Sequence, residues 1–100
     1  MKELEKEFEG RGEVSGRIFK QKLANDNAYL YEVIAEDGSV YYEVFERKIN
    51  TQFNCVSYPK SNSFGSWAWC FKCRTVSESF EKAAKKFEEI MNKPTKEKKQ

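Results

Sequence analysis

The chain holds one long amphipathic run of helical period. Between Val76 and Met91 the apolar residues Val76, Phe80, Ala83, Ala84, Phe87, Ile90 and Met91 recur at spacings of three and four, the stripe of a single helix face. Glu78, Glu81, Lys82, Lys85, Lys86, Glu88 and Glu89 fill the outside. Glu78–Lys82 and Glu81–Lys85 are i,i+4 pairs in the favourable order, contributing about 0.2–0.5 kcal/mol each. Thr75 with Glu78 has capping-box spacing, and Ser77 is a rival N-cap. Pro94 cannot continue the helix. A lone helix must bury its stripe against something else, and everything before it reads as strand.

Immediately upstream the period drops to two. Trp67, Trp69 and Phe71 alternate with Ala68, Cys70 and Lys72, so the three rings are expected on one face of a strand. Val14 to Leu23 reads as the first strand, and Asn25-Asp26-Asn27 marks a turn. Ala28–Ala35 and Val40–Lys48 are rich in Tyr, Val, Ile and Phe and flank Asp37-Gly38, a hairpin signal.

The register of that hairpin follows from charge. A two-residue Asp-Gly turn sets Glu32 opposite Glu43, a like-charge pair that costs stability. A three-residue loop, Glu36-Asp37-Gly38 with the glycine left-handed, pairs Leu30 with Val44, Ile34 with Val40 and Tyr31 with Glu43. The second register is expected. It places Leu30, Ile34, Val40, Tyr42 and Val44 on one face, and Tyr29, Tyr31, Val33, Tyr41 and Phe45 on the other.

The order is therefore β-β-β-loop-β-α. It predicts an α+β domain: an antiparallel sheet of about four strands with one C-terminal helix packed on one face. At 100 residues the chain is one domain over 1–92. Residues 1–12 form either a short helix, from Leu4 and Phe8 at i,i+4, or a loosely attached arm. The Lys-rich tail 93–100 is expected to be disordered. Asn50–Ser63 is a long polar connection into which Phe53, Val56 and Tyr58 should tuck. A helix is ~10–12 Å wide and a four-stranded sheet ~15–19 Å, so one helix leaves sheet uncovered. The second face needs residues 1–9 and the loop, a second copy, or a partner.

Several chemistries lack their residues. There is no histidine, which removes the usual general base and the commonest metal ligand. Cys70-Phe71-Lys72-Cys73 is a C-x-x-C, but three cysteines without histidine fall short of a zinc set. The pair also precedes the helix rather than sitting at its N-terminus, where a redox thiol belongs. Free thiols are expected, and no metal or cofactor is implied. Glu32, Glu43 and Glu46 read as solvated charges of the sheet. No Walker loop, dinucleotide glycine pattern or G-x-S-x-G occurs. The chain reads as non-catalytic.

Nothing approaches a membrane span, and Met1–Glu5 lacks a signal-peptide core, so a cytoplasmic protein is expected. Residues 1–10 carry two lysines and four glutamates, and residues 92–100 four lysines and one glutamate, leaving the body nearly neutral. Arg17, Lys20, Lys22, Arg47, Lys48, Lys60, Lys72 and Arg74 lie on or near strands. The candidate binding residues are Arg17, Tyr29, Tyr31, Tyr41, Lys72 and Arg74. They suit a protein partner or homodimer on an aromatic sheet face, or nucleic acid, with cations on phosphate and rings stacking.

Tyr42-Glu43-Val44-Phe45, Ser57-Tyr58-Pro59 and Phe64-Gly65-x-Trp67-Ala68-Trp69 resemble a group of small uncharacterised proteins of Bacteroidetes genomes and mobile elements. That resemblance, over roughly Phe8 to Ile90, implies a mobile-element context and no mechanism. The strand followed by Thr75-x-x-Glu78 and Ala83-Ala84 is similar to the end of an AP2-type domain, over Trp67 to Phe87 only. It implies DNA recognition by a three-stranded sheet, but this chain has glutamates where that family needs arginines.

Overall fold

The computed structural model describes residues 3–10, 12, 15–59 and 63–91. Val14, Lys60 and the tail from Lys93, with Pro94, lie outside the described residues. Strands β1 (Glu7–Glu9), β2 (Ile18–Ala24), β3 (Ala28–Ile34), β4 (Val40–Glu46) and β7 (Ala68–Phe71) form one antiparallel sheet in the order β1-β2-β3-β4-β7. Strands β5 (Ile49–Asn50) and β6 (Cys55–Val56) make a separate small hairpin. Helix α1 (Val76–Met91) packs across β3, β4 and β7. The α+β architecture is as expected, with a fifth strand added.

The β3–β4 register is the three-residue one: Leu30 faces Val44, Tyr31 faces Glu43 and Ile34 faces Val40. Ala35 N–H donates to Ser39 C=O at 2.8 Å, and Gly38 takes φ +89°. A left-handed residue is what lets a type I turn close this loop. At the other end Asn25 Oδ1 accepts from the N–H groups of Asn27 (2.7 Å) and Ala28 (2.9 Å), building the β2–β3 turn.

Each sheet face has its own core. On one, Ala28, Leu30, Tyr42 and Val44 meet Ala83, Phe87 and Ile90 of the helix, with Val40, Trp69 and Phe71 at the margin. The Thr75 hydroxyl caps the helix by accepting from Glu78 N–H at 3.1 Å, so Thr75 and not Ser77 is the cap. Ser79, 1% exposed, accepts from Cys73 N–H (2.8 Å) and donates to Thr75 C=O (3.0 Å), which fixes the β7–α1 connection.

The other face gathers Phe19, Tyr29, Tyr31, Val33, Tyr41 and Phe45 with Val56 and Ala68. The chain covers it with its own Leu4, Phe8, Tyr58, Phe64 and Trp67. Phe8 stacks on Phe19 with ring centroids 4.9 Å apart. Tyr58 stands edge-on to Phe8, Phe19 and Phe45 at 5.4–5.7 Å.

Three expectations are corrected. Residues 3–9 are neither helix nor loose arm: residues 3–6 are irregular, with a bend at Lys6, and Glu7–Glu9 form strand β1, because pairing with β2 stabilises a segment too short to be a helix alone. Trp67 does not share a face with Trp69 and Phe71. Its N–H and that of Ser66 both donate to Ser63 C=O at 3.0 Å, and Gly65 takes φ +91°. That turn lifts Trp67 out of the pleat and onto the opposite face, edge-on to Phe45. Phe53 does not tuck inward. It sits in the β5–β6 turn, 69% exposed, while Val56 and Tyr58 do turn in.

Candidate functional site

The aromatic face has an exposed corner at the start of β4 and the end of β7, one strand away from the start of β2. Tyr41 and Glu43 alternate on β4 and so project to the same side; Cys70 opposes Glu43 on β7, and Lys72 follows two residues on. Arg17, just before β2, reaches across to donate from Nη1 to the Tyr41 hydroxyl at 2.7 Å. With its nitrogen on that oxygen, the guanidinium lies at the hydroxyl end of the ring rather than over its face. Lys72 Nζ lies 5.5 Å from the same ring centroid, within range of a cation–π attraction. Cys70 and Lys72 are exposed and Arg17 is half-buried, whereas the Tyr41 ring is only 5% exposed.

Beneath this rim lies a carboxyl. Glu43 is 4% exposed, not the solvated sheet charge expected from the sequence. The Tyr58 hydroxyl donates a short hydrogen bond to its Oε1. Burial pushes the Glu43 pKa up, against the opposing pulls of the Tyr58 hydrogen bond and the Arg17 charge. Burial also raises Tyr58 and Tyr41, with the Glu43 charge next in weight. Enclosure of its sulfur, then Glu43, raises the Cys70 thiol. A thiol held protonated is a weak nucleophile and a poor metal ligand. Cys55, Cys70 and Cys73 are free thiols. Among the described residues no cluster of three or more His, Cys, Asp or Glu could hold a metal, and no helix is long and apolar enough to cross a membrane.

Of the six residues singled out from the sequence, the fold brings Arg17, Tyr41 and Lys72 together. Tyr29 (3% exposed) and Tyr31 (0%) lie elsewhere, under the N-terminal arm. The Tyr29 hydroxyl donates to Glu3 Oε1 and that of Tyr31 to Glu5 C=O, each at 2.5 Å. Burial pushes the Tyr31 hydroxyl up to about 12. Arg74 is exposed in the turn before α1 and makes none of these contacts. Glu43 and Tyr58 were missed as site residues. The signal for Glu43 was available: in the register chosen on charge, it shares parity with Tyr41 and Phe45, the face full of rings. Comparisons of the chain with protein-family models, curated proteins and solved structures found no match.

Proposed function

We propose that this chain is a small non-catalytic binding domain of the cytoplasm that engages a protein partner through the open corner of its aromatic face. Arg17 and Lys72 meet carboxylates of that partner, and Tyr41 forms the floor between them. The observation that carries this reading is the convergence of two cations on one tyrosine ring, beside the exposed Cys70 and Lys72. Self-association through the aromatic rings at large has little support, since Tyr29 and Tyr31 are already covered.

A second reading is nucleic acid, because the same two cations suit phosphate. The nearly neutral body and the glutamates on the central strands count against it. The test is binding of a labelled glutamate-rich peptide and of a random DNA duplex at low salt, with wild type and Lys72→Glu. Peptide binding lost in the variant supports the first reading. Preference for the duplex, with a steep salt dependence, selects the second. Binding of neither removes both.

A further inference from the structure

The N-terminal arm sits in a groove that has the parts of a peptide-binding site. At one end the Arg47 guanidinium pairs with the Glu3 carboxylate, which also accepts from the Tyr29 hydroxyl. Two residues on, the Glu5 carbonyl accepts from Tyr31, and next the Lys6 carbonyl accepts from Gln21 N–H at 2.7 Å. Glu7, Phe8 and Glu9 then pair with Lys20, Phe19 and Ile18. Phe8 fills a socket of Phe19, Tyr31 and Tyr58. Most of these contacts are made by backbone, one carboxylate and one ring, so any extended segment with those groups at that spacing can make them.

We propose that this groove is a receptor for an extended acidic segment of a partner protein, with a carboxylate five residues before an aromatic ring, and that residues 3–9 occupy it in cis as a stand-in. Three observations support an occupant in trans. The arm is shorter than its template: β2 runs seven residues and β1 three, so a longer strand gains further pairing along the same edge. Charge is complementary, since Lys20 stands opposite Glu7 and Arg47 pairs with Glu3 at the groove's end, along an arm with glutamates at 3, 5, 7 and 9. The arm is also shallow: Glu5, Lys6, Glu7 and Glu9 are exposed, and only Leu4 and Phe8 are half-buried, so it opens more readily than the strands beneath. This site adjoins the Arg17–Lys72 corner through Tyr58 and the Gly10 N–H bond to Arg17 C=O, but its proposal does not rest on that corner's function.

The test is titration of the full labelled chain with a synthetic peptide of residues 2–10, followed by amide NMR. A tethered arm competes at an effective concentration on the order of millimolar, so half-displacement of wild type is expected near millimolar peptide. The arm signals should move to unstructured positions while Phe19 and Gln21 stay ordered. Phe8→Ala in the chain should lower the half-saturation point by about ten-fold. The same peptide with its phenylalanine replaced by alanine should not compete. If the variant does not fold, the wild-type titration decides. Absence of displacement well above millimolar, or equal competition by the alanine peptide, overturns the proposal. A concentration-dependent dimer that exchanges arms between copies also overturns it, by making the occupant a second copy.

Discussion

The Tyr58 hydroxyl donates to the buried carboxyl of Glu43, tying the long 47–67 connection to the interior strand β4. Removing the donor strands a buried acceptor, which typically costs about 1–3 kcal/mol. Tyr58→Phe should destabilise the fold by that amount in urea unfolding, although the ring that meets Phe8, Phe19 and Phe45 is kept.

Glu43 also sets a pH dependence. Its folded pKa lies above the ordinary 4.5, so the folded state binds the proton more tightly than the unfolded chain. Its contribution is fully present below the unfolded value and is lost as pH rises through the folded one. Glu43→Gln, which keeps an acceptor for Tyr58 and never ionises, should therefore gain on wild type as pH climbs from about 4.5 towards neutrality. Thermal midpoints of both proteins across that range measure it. A constant difference would mean that Glu43 does not titrate differently on folding.

Cys70 is exposed yet held protonated by enclosure of its sulfur and by Glu43. Its reaction with a disulfide reagent should be slower at neutral pH than that of an ordinary exposed thiol, and should go on rising with pH past the ordinary thiol value of 9.0 before it levels off. Single-cysteine variants followed by absorbance would isolate it.

Much of the fold was legible because two local signals agreed. Avoiding a Glu32–Glu43 clash selected a loop that puts glycine where a left-handed residue is needed. Both faces of β3 and β4 then followed from parity. Where tertiary contacts override local pattern, the reading failed. Trp67 has strand spacing, but a turn anchored on Ser63 rotates it away. Phe8 has helical spacing with Leu4, but its stacking on Phe19 favours a strand. Arg17, Tyr41 and Lys72 could be named singly; that they converge depends on the sheet order, which no short motif records.

Gly38 offers a clean test of the loop. A Cβ there meets nothing within 4 Å, so the cost of substitution is conformational alone. Gly38→Ala should destabilise by about 1 kcal/mol and Gly38→Asn by less, since asparagine tolerates the left-handed region. Equal losses in denaturant unfolding would argue against that backbone.

Ser79→Ala removes the acceptor of Cys73 N–H at the start of α1. The expected loss is about 1–3 kcal/mol, with faster hydrogen exchange at Cys73 and in the first helical turn.

The central claim is that the open corner binds an acidic partner. Its most direct measurement is an amide NMR titration of the full chain at low salt with a glutamate-rich peptide, and separately with a DNA duplex. The account predicts peptide-induced shifts at Arg17, Tyr41, Cys70 and Lys72 that vanish in Lys72→Glu, with weaker effects from the duplex. Saturating peptide that leaves those four signals unmoved would contradict it.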